Sequence, residues 1–163
     1  MIVGNGNIAK ILNDREGAIF FASGVSNSNE KREQEYKREK DLLLKQDRDK
    51  CLFYFSSISI DEVDKSQNRY FKHKKEMEEL IDQLYENYNI IRIGNIMWDN
   101  NPNTFINYIK NKLRLKEPVT IKDEYKFLID EKTLLLITNS LPLIGKNRLS
   151  LFYKMGKVED LIK

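Results

Sequence analysis

The sequence is poor in the residues that build disulfide-bonded, metal-binding or secreted proteins. It contains one cysteine, one histidine and three prolines in 163 residues. A single cysteine, Cys51, cannot form an intramolecular disulfide framework and is typical of a reducing compartment. No cluster of histidine, cysteine and carboxylate residues has the spacing of metal ligands. We therefore expect no metal site, and Cys51 is predicted to lie in the core.

Long apolar runs and an excess of one charge are also absent. No run approaches the roughly 20 apolar residues of a membrane helix, and the N-terminus lacks the basic and apolar regions of a signal peptide. Lysine and arginine number 28 against 25 acidic residues, a net charge of +3 that does not predict nucleic-acid binding. The sequence predicts a cytoplasmic protein that binds neither membrane nor nucleic acid, folded as a single domain over residues 1–163.

Apolar runs alternate with segments of helical periodicity along the chain. Short runs at "MIV", "AIFFASG", "CLFYFSSI", "YNIIRIGNI" and "PVTI" predict strands, and further helical spacing lies in "TFINYIKNKL". Long helices are predicted over residues 30–46, with Asn29 as the cap, and over residues 68–88. Strands without polar alternation are buried on both faces of a parallel sheet. The predicted class is therefore α/β, doubly wound.

A glycine-rich turn follows the first predicted strand. The segment "GNGNIA", residues 4–9, has the form G-x-G-x-x-A, in which glycines allow a tight turn and a close approach of a pyrophosphate to the backbone. The motif is short and its strand has only three residues. An ordinary glycine-rich turn therefore stays open as the alternative.

Two further stretches place reactive side chains at the ends of predicted elements. Ser56 and Ser57 end an apolar strand, where ligands bind in open α/β sheets, although serines there also cap the next element. Tyr70 and Lys74 are spaced i, i+4, which places their Cβ atoms roughly 5–6 Å apart on one helix face. A nearby ammonium lowers the pKa of a tyrosine from about 10, as acid–base catalysis requires. A chance pair in a chain with eight tyrosines is the alternative.

The order of these stretches resembles the short-chain dehydrogenase/reductase superfamily, in its extended branch of NAD-dependent nucleotide-sugar epimerases, dehydratases and reductases. The segment "YFKHKKEMEELI" is similar to the family's Y-x-x-x-K-x-x-x-E helix, and "IIRIGNIMWDN" to its R-x-G-N segment. The resemblance implies a Rossmann-like sheet that binds NAD or NADP, and a nucleotide sugar or related carbohydrate as substrate. The similarity extends from Ile2 to about Asp130.

The resemblance also implies roles for particular residues. Tyr70 would exchange a proton with the substrate, Lys74 would hold the nicotinamide ribose and lower the tyrosine pKa, and Ser57 would orient the reacting oxygen. The remaining candidates are the cofactor turn (Gly4, Asn5, Gly6, Asn7 and Ala9), the end of the next strand (Ala22, Ser23 and Gly24), and substrate contacts at Asn95, Lys126 and Arg148. Lys126 and Arg148 are looser candidates for a substrate phosphate that equally fit plain surface charge. His73 is expected to point away from the Tyr70/Lys74 face and to be non-catalytic.

The sequence departs from the family in the half of the fold that binds adenosine. Only "KILNDREG" lies where the family has its second and third strands. No acidic residue follows the glycine turn at the spacing of the family's residue that hydrogen-bonds the adenosine ribose. The family's asparagine on the preceding helix is also absent between Lys31 and Gln46. The first strand becomes a sheet edge, which a partner chain can cover. The helices 30–46 and 68–88 resemble the family's dimer-forming pair, so a homodimer is expected.

Three functions remain open from the sequence. The first is an NAD(P)-linked enzyme that uses Ser57, Tyr70 and Lys74. The second is a degenerate, non-catalytic member that serves as a binding or assembly module with weak or no dinucleotide binding. The third is a site for a ligand smaller than a dinucleotide, such as a mononucleotide or a sugar phosphate.

Overall fold

The computed structural model describes residues 1–62, 67–98, 105–118 and 125–157. The predicted strand "PVTI" lies outside these residues apart from Pro118. Eight strands and five helices are described: β1 Ile2–Val3, α1 Asn7–Ile11, β2 Ala18–Phe21, α2 Glu33–Leu44, β3 Cys51–Ser57, α3 Arg69–Leu84, β4 Tyr88–Ile93, β5 Asn95–Ile96, α4 Phe105–Arg114, β6 Tyr125–Ile129, α5 Glu131–Ser140, β7 Lys146–Leu151 and β8 Lys154–Lys157. A short 3₁₀ helix over Ile58–Asp61 follows β3. No helix among the described residues is long and apolar enough to cross a membrane.

The central sheet has five parallel strands in the order β1-β2-β3-β4-β7. Every residue of β2 is buried, as are the first six of β3, because helices cover both faces of these strands. The predicted α/β class with a parallel, Rossmann-like sheet is therefore confirmed. The first strand is indeed a sheet edge, and it contains only two residues.

The long helices are shorter than the sequence predicted. The helix predicted over residues 30–46 is α2, Glu33–Leu44, and its N-cap is Arg32 rather than Asn29. Glu30 lies outside the helix, where its carboxylate accepts hydrogen bonds from the Arg32 guanidinium. The helix predicted over residues 68–88 is α3, Arg69–Leu84, and Asn68 caps it by accepting a 2.8 Å hydrogen bond from the Tyr70 backbone. The Asn68 cap orients the first turn of α3, which carries Tyr70.

Alternate residues of the central strands pack into two separate hydrophobic cores, one on each face of the sheet. On one face, Phe20 and Phe53 pack with α1 and with Leu134 of α5. On the other face, the strands pack with Leu43 of α2 and with Met77 and Ile81 of α3. Helices therefore cover both sides of the sheet, as a doubly wound fold requires.

The connection through α1 has the opposite hand to the connection through α2. Strands β1, β2 and β3 are neighbours in that order and are all parallel, yet α1 lies on one face and α2 on the other. Two crossovers that move in the same direction on opposite faces must differ in hand. The connection from β1 to β2 is also short, with only 14 residues. This connection stands where the sequence lacks two strands.

A second, three-stranded sheet extends from the carboxyl end of β4. The sequence predicted "YNIIRIGNI" as one strand, but the structure divides it at Gly94 into β4 and β5. A Cβ atom at residue 94 would lie 2.6 Å from the Phe127 carbonyl oxygen, so only glycine allows the chain to turn here against β6. Strand β5 pairs in parallel with β6, which pairs antiparallel with β8. This sheet carries Asn95 and Lys126 to the mouth of the central sheet.

Candidate functional site

A cleft of about 610 Å³ opens at the carboxyl ends of β2, β3 and β4. Its walls come from the turn between β1 and α1, the loop after β2, the end of β3 and the first turn of α3. The β4–β5 junction and Lys126 close the other side. Ligands of open α/β sheets bind at this end of the strands, so the cleft is the candidate site.

Most of the residues predicted from the sequence meet at this cleft. Those that line it are Ser57, Tyr70, Lys74, Gly6, Asn7, Ala22, Gly24, Asn95 and Lys126. The other candidates, Gly4, Asn5, Ala9, Ser23 and Arg148, are not among the lining residues. The side chain of Ser23 instead accepts a 3.2 Å hydrogen bond from Arg38, and the Arg148 guanidinium lies 3.6 Å from the Glu78 carboxylate. The geometry therefore groups the predicted catalytic residues and leaves Arg148 outside.

Lys74 is buried and already has a counter-charge. Only 2% of its surface is exposed, and its Nζ donates 3.1 Å hydrogen bonds to Glu39 Oε1 and to the Tyr54 hydroxyl. An ammonium has three donors, so one N–H is left by these two bonds for a group in the cleft. The sequence did not predict this pairing.

Glu39 is the centre of this buried polar cluster. Its side chain is fully buried and accepts four hydrogen bonds, from the Val25 backbone N–H, the Tyr54 hydroxyl, Lys74 and the His73 ring. These partners hold the pKa of Glu39 well below its usual value of 4.5, although burial acts in the opposite direction. Positions 36, 39 and 43 share one helix face, and Tyr36 and Leu43 are apolar. This spacing was the one feature of the sequence that indicated a buried side chain at residue 39.

The prediction that His73 points away from the Tyr70/Lys74 face is wrong. His73 is 2% exposed, and its Nε2 lies 3.0 Å from Glu39 Oε2, so it contacts the same carboxylate as Lys74. Its ring also packs 4.8 Å from the ring of Tyr36. The two helices α2 and α3 pack so closely that adjacent residues of α3 both reach Glu39. That His73 is non-catalytic stays a prediction.

Tyr70 lies at the cleft with a pKa raised above 10, not lowered. Burial of the phenol has the largest effect, and the Lys74 ammonium, 5.8 Å from the ring centroid, acts against it without overcoming it. Glu39 weakens the influence of Lys74 because its negative charge lies beside the ammonium. The sequence correctly predicted that Lys74 lowers the pKa of Tyr70. It was wrong about the net shift, because burial raises this pKa by more.

The two serines at the end of β3 have different surroundings. Ser57 accepts a 3.3 Å hydrogen bond from the Ser59 backbone and so caps the short 3₁₀ helix, which confirms the structural alternative without excluding a ligand. Ser56 is 4% exposed, lines the cleft, and its Oγ has no hydrogen-bond partner among the described residues. A buried hydroxyl without a partner is costly, and a ligand oxygen or nitrogen would satisfy it.

The two glycines of the first turn serve different purposes. A Cβ atom at Gly4 would lie 2.5 Å from the Ala22 carbonyl oxygen, and its φ of +125° is a conformation that side chains disfavour. Gly4 therefore allows the turn to contact β2. At Gly6 a Cβ atom would meet nothing within 4 Å, and its φ is −74°. Gly6 borders open space in the cleft, where a ligand can approach the backbone.

Asn95 and Trp98 support the far side of the cleft. The Asn95 side-chain amide donates a 3.1 Å hydrogen bond to the Phe127 carbonyl, which ties β5 to β6. The Trp98 indole donates a 3.3 Å hydrogen bond to the Asn7 carbonyl and packs against the core on the α1 face. The only tryptophan of the chain is therefore in direct contact with the glycine turn.

The depressed pKa of Glu39 predicts a loss of stability in acid. A carboxylate with a lower pKa in the folded state contributes stability above its unfolded value, near 4.5, and this is lost as pH falls toward the folded pKa. Replacement of Glu39 by glutamine removes this titration. We expect the free energies of unfolding of the two proteins, measured by urea denaturation from pH 7 to pH 3, to converge below pH 4.5. A difference that is constant over this range would contradict the prediction.

Comparison with solved structures finds the same fold in nucleotide-sugar enzymes. The Bordetella bronchiseptica enzyme WbmG in complex with NAD and UDP superimposes with a TM-score of 0.68 and 10% identity, covering 90% of this chain and 54% of that chain. The UDP-glucose 4-epimerase of Thermotoga maritima with UDP-glucose gives 0.68 and 11%, covering 90% and 59%. The UDP-N-acetylglucosamine 4-epimerase of Methanobrevibacter ruminantium M1 gives 0.64 and 14%, covering 97% and 62%. The chain has the epimerase fold in a shortened form.

No protein-family model and no curated protein matches the sequence. The chain spans less than two thirds of the length of these three enzymes. For the fold alone, this likeness confirms the resemblance that the sequence showed from Ile2 to about Asp130. At 10–14% identity this likeness establishes the fold, and the chemistry has to be argued from the cleft.

The residues of the cleft fit one half of a dinucleotide. The open side of Gly6, the Ser56 hydroxyl and the third donor of Lys74 are available to a nicotinamide nucleotide. For the adenosine half the described residues offer neither a strand beyond β1 nor an acidic residue in the cleft lining. Among the described residues, no group of three histidine, cysteine or carboxylate side chains could hold a metal ion.

Proposed function

We propose that the cleft is a nicotinamide-nucleotide site and that the chain is an NAD(P)-dependent epimerase, dehydratase or reductase of a nucleotide sugar or related carbohydrate. The observation that carries this proposal is the meeting of Ser57, Tyr70 and Lys74 in the cleft that Gly6 borders. Ser57 ends β3, Tyr70 and Lys74 both lie on α3, and Gly6 belongs to the turn before α1. Their convergence supports a common site more strongly than the spacing of Tyr70 and Lys74 alone.

The phenol of Tyr70 is suited to donate a proton. Its raised pKa keeps the hydroxyl protonated at neutral pH, so it acts as an acid toward a carbonyl oxygen that is being reduced. Ser57 has a hydroxyl hydrogen to donate even while its oxygen caps the 3₁₀ helix. Lys74, held in place by Glu39, supplies an N–H toward a ribose hydroxyl. A bound nicotinamide supplies the hydride, which no side chain of the protein can.

The lining of the cleft matches the chemistry of a carbohydrate. Its polar groups are mostly hydroxyls and amides, including Ser26, Asn27, Ser28, Ser59 and Asn68, and no carboxylate is among them. Such groups donate and accept hydrogen bonds with sugar hydroxyls. Lys126 lines the same cleft and is the candidate for a substrate phosphate.

Binding and catalysis can be tested separately. We expect NADH to quench Trp98 by energy transfer, because this tryptophan contacts the turn that borders the cleft. The variant Tyr70→Phe should bind NADH within about threefold of the unmodified protein but lose roughly 100-fold or more in turnover of a nucleotide sugar, as expected for removal of a general acid. Fluorescence titration gives the affinity, and chromatographic separation of the nucleotide-sugar substrate from its product gives the rate.

A matched control is Tyr108→Phe, which removes the hydroxyl of an exposed tyrosine on α4, outside the cleft lining. This variant should match the unmodified protein in both measurements. Failure of the unmodified protein to bind NADH or NADPH at millimolar concentration, while folded, would contradict the redox function. A non-catalytic binding or assembly role would then be the better account.

A homodimer through residues 30–46 and 68–88 and a cytoplasmic location remain proposals. The outward positions of α3 are Lys72, Lys75, Glu76, Glu79, Asp82 and Gln83. On α2, Leu44 is the only large apolar side chain that is exposed. Charged outer faces of this kind are typical of solvated surfaces or of weak, polar interfaces.

A further inference from the structure

The central sheet contains one side of the arrangement that binds a dinucleotide. Dinucleotide-binding sheets consist of two mononucleotide-binding halves that meet at the strand carrying the glycine turn. Here the glycine turn follows β1, and all four other strands of this sheet lie on one side of it. On the other side of β1 the described residues place no strand. The structure therefore retains one mononucleotide-binding half.

The connection that replaces the missing strands does not border the cleft. Every lining residue belongs to residues 6–8, 21–28, 55–59, 68–74 or 93–96, or is Lys126. Between α1 and β2 the chain instead runs to the opposite end of the sheet, where Arg15 donates hydrogen bonds to the carbonyls of Asn139 and Leu141, at 3.3 and 2.8 Å. This segment cannot substitute for an adenosine pocket.

Three features of the cleft bear on the size of its ligand. Gly6 offers its open side to the cleft, and the buried Ser56 hydroxyl lacks a hydrogen-bond partner among the described residues. The cationic groups of the lining are the ammonium groups of Lys74 and Lys126, and Lys74 is already hydrogen-bonded to Glu39. This is a modest positive charge, which suits a ligand with one phosphate better than one with a pyrophosphate.

We propose that the cleft binds only the nicotinamide mononucleotide half of a nicotinamide cofactor, so that reduced nicotinamide mononucleotide and NADH bind with equal affinity. This inference depends on the proposed nicotinamide site. The adenosine half of NADH extends past β1 into solvent and adds no contact. In a site that buries the adenine ring, the same comparison favours the dinucleotide by roughly 10- to 100-fold.

The test is a titration of the full chain with reduced nicotinamide mononucleotide and with NADH, followed through energy transfer from Trp98. We expect the two dissociation constants to agree within about threefold and AMP at millimolar concentration to displace neither ligand. A tenfold or greater preference for NADH, or displacement by AMP, would overturn the mononucleotide inference and leave the nicotinamide site intact. Binding of neither ligand would overturn both.

A variant at Gly6 tests where the ligand binds. A valine there meets no protein atom at its Cβ position and keeps an allowed φ, so the thermal midpoint should stay within a few degrees. Its side chain occupies the open space, and we expect both reduced nucleotides to lose at least tenfold in affinity. Unchanged affinity with Gly6→Val would place the ligand elsewhere and contradict the inference.

Discussion

Replacement of Glu39 by glutamine should destabilise the protein by about 3–5 kcal/mol, the effect expected when a buried ion pair loses one partner. Lys74 is 2% exposed and would be left without a carboxylate beside it. The glutamine amide would also direct N–H groups toward donors that Glu39 now accepts from, including the Val25 backbone and the Tyr54 hydroxyl. Urea denaturation at pH 7 measures the loss directly.

The double variant Glu39→Gln/Lys74→Met separates the ion pair from packing. Methionine keeps most of the lysine's volume without its charge, so the double variant should be about 1–3 kcal/mol more stable than the sum of the two single losses predicts. The exposed pair Lys37 and Asp41 on the same helix is the control, and Asp41→Asn should change stability by about 0.5 kcal/mol or less. Additive losses at Glu39 and Lys74 would show that the two residues do not act as a pair.

This buried cluster is where the sequence and the structure differ most. Tyr70 and Lys74 could be selected from their spacing because i, i+4 residues share a helix face. Their partner Glu39 could not be selected in this way, because it lies in another helix, α2, whose outer face also carries many charged residues. Only the position of Glu39 in the helical repeat distinguishes it from those exposed charges. The reversed shift of the Tyr70 pKa has the same origin, since burial and Glu39 depend on how α2 packs against α3. Contacts between elements are not encoded in local periodicity.

The positions of the strands could be predicted from the sequence more accurately than the connections between them. Buried strands such as β2 and β3 are continuous apolar runs, and their positions were predicted within a few residues. The break at Gly94 and the hand of the β1–β2 connection depend on tertiary contacts, with Phe127 and with the α1 face of the sheet. The glycine turn was correctly placed at the cleft, but the sequence could not show that its two glycines differ in function.

Replacement of Gly4 by alanine is the second change with a large expected effect, a loss of about 2–5 kcal/mol. The new Cβ atom would lie 2.5 Å from the Ala22 carbonyl oxygen, which belongs to the backbone and cannot rotate away. The φ of +125° adds backbone strain of about 1–3 kcal/mol, and overpacking adds a similar amount. Thermal and urea unfolding both measure this loss.

Gly6→Ala is the matched control for Gly4→Ala, because it changes the same turn by the same methyl group. Its φ of −74° is allowed and no atom lies within 4 Å of the new Cβ, so stability should fall by about 1 kcal/mol or less. The loss of stability should also have a different structural cause in each variant. Gly4→Ala forces the turn away from β2, where the Ala22 backbone N–H now donates a 2.8 Å hydrogen bond to the Val3 carbonyl. Equal stability of the two variants would show that the turn relaxes around the clash, and that contact with β2 does not hold Gly6 at the cleft.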